Sequence, residues 1–392
     1  MKKSLPSNKK MKKKIIVTTG TRAEYGILRS ILFELKKNKK FDLYLIVTGS
    51  HLSKKYGLTI NEIKKDGFKI YSKVHMFPKN DTTFFTSKSV GKGIIEFSNI
   101  FNKVKPHFNL ILGDRVEMLA SSIAASQMNI LNIHIHGGDK SGGIDEYSRH
   151  AITKLSNIHF AATKKSKERI IKMGENPKYV FFTGSPSLDD VIQNKITNKK
   201  TLEKKYNVKF NGDEILLLQH PVTTQVDLSE KQILNTLKAI TKVKKTTIII
   251  APNSDPGNKV IFEHVHSFTK KHNFIKLYNS LPRSDYLGIL KNCGVLVGNS
   301  SSGIIESTLF QTPVVNIGIR QEGREKGKNV LDVKNDSIPS IHNAIVKSLK
   351  IKKSSHKISN YIYGKGDAAK KIVRVLEKIH VHKDLIQKQI HY

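Results

Sequence analysis

Short runs of aliphatic and β-branched residues alternate with longer amphipathic stretches along almost the whole chain, and that rhythm leaves few architectures open. A bounded apolar run of four to six residues has the length of a buried strand, while apolar positions recurring every three or four residues mark a helix covering a sheet. Strands are predicted at 14–19, 43–48, 109–112, 130–134, 159–162 and 180–183, with a helix over 27–37 whose Lys36 and Lys37 suit a C-terminus. After a Lys/Asn-rich passage at 193–213 a second series follows, at 214–218, 246–251, 275–278, 295–297 and 314–317. Strand–helix–strand order gives parallel sheets. The expected fold is therefore α/β, with two Rossmann-like domains facing a central cleft. The expected boundaries are a basic, disordered extension at 1–13, an N-terminal domain at 14–195, a C-terminal domain at 209–365, and a terminal helix within 366–392 able to pack back on the N-terminal domain.

The 392 residues suffice for two such cores without disulfides or metals. The single thiol, Cys293, cannot close an intrachain disulfide, and no Cys/His spacing matches a structural zinc site, so a reducing cytoplasm is expected. Ile15-Ile16-Val17 is interrupted by Thr19-Gly20-Thr21-Arg22 too soon for a signal segment, and no apolar run approaches the ~20 residues of a membrane span. The 68 Lys and Arg against 32 Asp and Glu leave a net charge of +36, which invites a nucleic-acid reading. The cations are scattered, with no aromatic-interleaved basic stripe, so no specific nucleic acid and no membrane partner is expected.

The polar motifs fall where strands end, which is where open α/β sheets bind ligands. The first strand runs into Gly20-Thr21-Arg22-Ala23-Glu24-Tyr25-Gly26, an anion site in outline: Gly20 and Gly26 permit tight turns and Arg22 supplies a fork of donors. This is not the dinucleotide fingerprint, so NAD is not inferred. Gly113-Asp114-Arg115 places a carboxylate beside a guanidinium, although an Asp capping helix 116–128 explains it equally well. The segment 132–150 holds His134, His136, Asp139, Asp145, Glu146, Arg149 and His150 around four glycines. Its histidines and carboxylates lack helical metal-binding spacing, so no metal is expected. In the second half His220, Asn253, the hydroxyl-rich Gly298-Asn299-Ser300-Ser301-Ser302-Gly303 with Glu306 beyond it, and Arg320 with Arg324 offer donors for a pyrophosphate.

Taken in order, GTRAEYG, VTGSHLS, GDR, HIHGGD-x-SGGIDE-x-SRHAITK, GSPSLD, QHPVTT, PN-x-D-x-G, GNSSSG and RQ-x-GR resemble the UDP-N-acetylglucosamine 2-epimerases, in particular the hydrolysing branch that starts sialic-acid and related nonulosonic-acid synthesis. The resemblance spans about residues 14 to 329. It implies a glycosyltransferase-B-like fold with a UDP-sugar between the halves, no cofactor, and homodimers or homotetramers. It also implies anti-elimination of UDP from UDP-GlcNAc to 2-acetamidoglucal, then water addition giving N-acetylmannosamine. By the same resemblance Asp114, His136, Asp145 and Arg149 are catalytic. Arg22, Gly26, Arg115, His220, Asn253, Ser300, Ser301, Glu306 and Arg320 contact the UDP-sugar. Many relatives carry a catalytic Glu where this chain has His136, an imidazole able to take and give a proton near neutrality.

Several alternatives stay open from sequence. UDP-2,4-diacetamido-2,4,6-trideoxyglucose, on the legionaminic-acid route, is a sister substrate, and non-hydrolysing epimerisation is a sister reaction. A glycosyltransferase of the same fold and a nucleic-acid-binding protein are the readings from other classes. His134, Lys154 and His159 are expected to be scaffold and His150 to stand behind the site, with Tyr25, Tyr147 and His51 as lesser sugar contacts.

Overall fold

The computed structural model describes residues 12–76, 82–142, 145–193, 195–253, 255–351 and 362–392. Most of the basic extension, Gly143 and Ile144 of the glycine-rich segment, and Ser254 of PN-x-D-x-G lie outside the described residues. Lys12 and Lys13 belong to the fold and not to an extension: Lys13 opens the first strand and Lys12 pairs with Asp42 at 3.1 Å.

The N-terminal sheet contains β1 (Lys13–Thr19), β2 (Phe41–Thr48), β3 (Ile70–Val74), β4 (Phe108–Leu112), β5 (Leu131–Ile135), β6 (Ile158–Ala161) and β7 (Val180–Phe182), in the order β3-β2-β1-β4-β5-β6-β7. The C-terminal sheet contains β8 (Ile215–Leu218), β9 (Thr247–Ile250), β10 (Ile275–Tyr278), β11 (Val295–Gly298), β12 (Val314–Ile317) and β13 (Val330–Val333), in the order β10-β9-β8-β11-β12-β13. All neighbours are parallel. Ile15, Ile16 and Val17 are wholly buried in a central strand, covered on both faces, which is why that run reads as continuously apolar. Each fully buried aliphatic side chain of this kind contributes about 1.5–3 kcal/mol.

Two strands are absent from the sequence-based assignment, β3 and β13, and both are sheet edges. Ile70-Tyr71-Ser72-Lys73-Val74 alternates half-buried and exposed positions, and β13 is largely half-buried, so neither gives the continuous apolar signal of an interior strand. The first helix starts earlier than predicted, at Arg22, because the Thr21 hydroxyl accepts from the Glu24 N–H at 3.3 Å and caps it.

The order of each sheet reverses at its centre, between β1 and β4 and between β8 and β11, and the loops at those crossover points open toward one shared space. The chain crosses back after residue 361. The Tyr363 carbonyl accepts from Ser185 N at 2.7 Å, and Asp189 accepts from the N–H groups of Ala368 and Ala369 at 3.1 and 2.8 Å, fixing the start of helix Ala368–Lys378. That helix lays Ala369, Ile372, Val373 and Leu376 on the core beneath helix Arg22–Lys37. It ends at Lys378, where Ile379 turns extended, and the Lys13 ammonium donates to the freed carbonyls of Leu376, Glu377 and Ile379 at 3.1, 2.9 and 2.6 Å.

Candidate active site

A cleft of about 870 Å³ lies between the two sheets, lined by the loops that follow β1, β4 and β5 on one side and β8, β9, β11 and β12 on the other. Its size suits a nucleotide sugar. All thirteen residues assigned a catalytic or binding role line it.

On the N-terminal wall, Arg22 is held by Glu62, whose carboxylate accepts from Nε at 3.0 Å. Glu24, in the same segment, also lines the cleft: its carboxylate accepts from Gly20 N at 3.0 Å, and burial pushes it up to about 8. Gly26 does not make a turn as predicted. It sits inside helix Arg22–Lys37, and a Cβ there would come 3.1 Å from Arg283 Cδ, so the missing side chain makes room for an arginine from the opposite wall. Arg283 in turn donates to Glu306 at 2.7 Å and to the Ser187 carbonyl at 3.0 Å. Glu306 is thus committed to a guanidinium while facing the cleft.

Asp114 is not a helix cap. Helix Val116–Gln127 starts behind Arg115 with no side-chain cap, and the Asp114 carboxylate instead receives the Arg149 guanidinium. Arg149 is almost fully buried and also donates to Glu146 at 2.9 Å, Ser141 Oγ at 2.8 Å and the Asp139 carbonyl at 3.1 Å. Burial alone would raise the Asp114 carboxyl, but Arg149, with Arg324 and Arg320 behind it, outweighs that and holds it below the usual carboxylate range. Asp145 opens helix Asp145–Leu155 and faces Arg320 at 3.7 Å. Burial first, and the Asp114 charge second, push it up to about 6. Two carboxyl groups of one cleft are driven apart, the arrangement that lets one hold a proton where the other has lost it.

His136 follows β5 with a backbone φ of +64°, a left-handed conformation that a side chain bears at some cost. Its N–H is tied to the Phe160 carbonyl at 3.1 Å, while Nε2 is buried with no hydrogen-bond partner among the described residues. Burial holds its imidazole below the ordinary value. His134 alternates onto the same strand but is scaffold: its ring bridges the Gly113 carbonyl at 2.7 Å and Thr153 Oγ1 at 3.1 Å. Among the described residues no three His, Cys, Asp or Glu side chains converge to hold a metal ion.

On the C-terminal wall, His220 Nδ1 accepts from Asn253 N at 3.1 Å, and burial lowers the imidazole to about 3. A neutral ring accepting at Nδ1 carries its proton on Nε2, a fixed donor. Arg115 crosses the cleft to Asp255 at 3.1 Å and keeps Glu117 at 3.2 Å on its own side. Asp255 also accepts from Asn253 and lies 4.0 Å from Arg320, whose Nη1 reaches the Asn299 carbonyl at 3.3 Å. Ser300 accepts from Ser302 N at 3.4 Å and Ser301 starts the short helix Ser302–Ile305.

Other residues land elsewhere. Tyr25 lines the cleft with its hydroxyl donated to Asp66 at 2.5 Å, but Tyr147 is three-quarters exposed and His51 is buried between Thr19 and Thr59 at 3.1 and 2.7 Å. Neither lines the cleft. His150 rests on Glu146 at 2.9 Å, and Lys154 and His159 both pair with Glu175. The sequence reading gave no role to Glu117, Asp255 or Arg283, named Asp139 without a role, and offered Arg324 only as a pyrophosphate donor. Asp139, Asp255 and Arg324 sit inside quoted motifs. Arg283, following β10, gives no signal of its own, because its role appears only when the two walls meet.

The chain matches the UDP-N-acetylglucosamine 2-epimerase family model over residues 33–377. It is 38% identical over 380 residues to the UDP-N,N'-diacetylbacillosamine 2-epimerase (hydrolyzing) of Legionella pneumophila, covering 96% of this chain and 99% of that one. It is 37% identical over 324 residues to the GDP/UDP-N,N'-diacetylbacillosamine 2-epimerase (hydrolyzing) of Campylobacter jejuni, covering 82% and 84%. The fold is that of the UDP-GlcNAc 2-epimerase from Neisseria meningitidis bound to UDP-GlcNAc, with a TM-score of 0.78 at 19% identity over 93% of this chain and all of that one.

Proposed function

The chain belongs to the UDP-N-acetylglucosamine 2-epimerase family, and from that premise we propose that its cleft carries out hydrolysing 2-epimerisation of a UDP-linked 2-acetamido sugar. One observation carries the reading: Asp114, His136 and Asp145 line one wall with Arg115 beside them, opposite His220, Ser300, Ser301 and Arg320, whose donors suit a diphosphate. The chemistry requires both. A base takes the C2 proton while the C1–O bond breaks, and UDP leaves into the donors that stabilise its charge. The resulting glycal then takes up water, hydroxyl at C1 and proton at C2 on the opposite face, releasing the free 2-epimer. Asp114, His136 and Asp145 carry these proton transfers between them, with Arg149 fixing Asp114.

For the sugar we put UDP-N,N'-diacetylbacillosamine, the 2,4-diacetamido-2,4,6-trideoxy compound, ahead of UDP-GlcNAc. This reverses the order expected from the motifs, and its support is that both hydrolysing relatives described above carry the diacetamido name. UDP-GlcNAc, with N-acetylmannosamine as product, is the second reading, supported by the family's own name. We take the enzyme to be cytoplasmic, which suits a buried lone thiol at Cys293, and to act as a homodimer or homotetramer. Among the described residues no helix is long and apolar enough to cross a membrane.

The test is to incubate the protein with each UDP-sugar, and with the GDP-linked diacetamido sugar, and to follow products by NMR. Free UDP with the free manno-configured diacetamido sugar is expected. A sugar epimerised while still attached to UDP would replace hydrolysis with reversible epimerisation, and no turnover of any of the three would overturn the proposal.

A further inference from the structure

Arg324, offered by the sequence as a donor for a pyrophosphate, reaches the proton-transfer wall from the other half of the molecule. The loop after β12 is pressed against the loop after β5: Gly142 N donates to the Arg320 carbonyl at 3.0 Å, and a Cβ on Gly142 would stand 2.3 Å from the Ile319 carbonyl oxygen. Only glycine allows that approach, and it delivers Arg324 beside Asp139. Arg324 is nine-tenths buried and lines the cleft with its Nη2 3.6 Å from Asp139 Oδ2. Its Nε has no hydrogen-bond partner among the described residues, and neither has Asp139 Oδ2, whose Oδ1 is taken by Ser166 Oγ at 2.6 Å.

We propose that Arg324 is a positioning residue of the C-terminal half that pairs with Asp139 and so offsets a carboxylate charge on the loop that carries His136. The charged and titratable groups facing His136 are Asp139 on its own loop, Asp114 at the end of β4, Glu306 behind helix Ser302–Ile305, and Arg324. Asp114 is already met by Arg149 and Glu306 by Arg283, which leaves Asp139 as the carboxylate that Arg324 is set against. Without Arg324, His136 would keep its proton to higher pH, and a smaller share of the enzyme would have the ring free to act as a base.

This inference rests on the proposed reaction for its consequence, but its core can be read without substrate. The imidazole of His136 is followed by NMR in histidine-labelled protein, assigned by the resonance lost in His136→Gln. In Arg324→Met the midpoint should rise by about one pH unit, in Arg324→Lys it should stay near wild type, and in Arg324→Met/Asp139→Asn it should return toward wild type. On whichever sugar nucleotide is turned over, the acid limb of kcat should move up by the same amount in Arg324→Met, with KM changed less than about threefold. An unmoved midpoint in folded Arg324→Met overturns the proposal, and so does a large rise in KM with kcat and its pH profile unchanged, which would make Arg324 a substrate grip. A shifted midpoint in a protein that turns over none of the sugars leaves this inference standing while the proposed reaction falls.

Discussion

Asp114 and Asp145 carry the same functional group and face the same cleft, yet Arg149 holds the first ionised while burial and its neighbour's charge keep the second protonated to about pH 6. That difference is a stability statement as well as a catalytic one. A carboxyl whose folded value is raised binds more protons folded than unfolded, so stability falls as pH rises from the unfolded value of 3.8 through about 6. Above that window the penalty is fully present. Asp145→Asn should therefore stabilise the fold at pH 8 by on the order of 1–3 kcal/mol, seen as a higher Tm, and leave stability unchanged below pH 3.5, while abolishing turnover. Arg149→Lys keeps the charge but loses the fork that spans Asp114, Glu146 and Ser141. Steady-state kinetics should show kcat lower by about 10² with KM little altered. At this scale the sequence was informative wherever residues that act together are also neighbours in the chain, as in the 132–150 segment. It was silent on Arg283, whose partners Gly26, Ser187 and Glu306 lie in three separate segments.

Interior strands such as β1 and β8 were legible because both faces are covered and nearly every residue must be apolar. The edges β3 and β13 were not, since one side of each meets solvent and the pattern thins. Helix Ala368–Lys378 shows a further limit: its 3.6-residue period was plain, but the face it covers is set by contacts far away in the chain, on helix Arg22–Lys37. Leu376 is wholly buried there. Leu376→Ala should cost about 2–4 kcal/mol, seen as a lower Tm or denaturation midpoint, with kcat per folded molecule unchanged because the helix lies away from the cleft. A fall in kcat without a fall in stability would show that the helix also governs the site. Glu175 ties the same region together, bonded to Lys154, His159 and Lys388 at 2.7, 3.1 and 2.7 Å and lowered to about 2 despite burial, by His159 and the two lysines. Its stabilisation is present above pH 4.5 and lost as pH falls toward 2, so Glu175→Gln should lower Tm at pH 7 and converge with wild type in acid.

For the whole molecule, the net charge of +36 acts between copies more than within one. At 0.01 M salt the screening length is about 30 Å and at 0.15 M about 8 Å. Light scattering should find association strengthened as salt is raised across that range, and an oligomer that dissociates with added salt would mean that opposite charges meet at its interface. The two-half architecture was readable from alternation alone, whereas the cross-cleft pairs Arg115–Asp255, Arg320–Asp145 and Arg324–Asp139 were not, because nothing local says how two sheets will face one another. The return of the chain onto its first half also sets an order of manufacture. Helix Arg22–Lys37 leaves the ribosome early, but the helix that covers it follows only after the entire second sheet has been translated, roughly fifteen to seventy seconds later at ordinary elongation rates. For that interval the nascent first half carries an uncovered apolar stripe. A message cut short anywhere in the second half yields a chain that never covers it, a natural mark by which a cell's quality control can tell unfinished copies from finished ones.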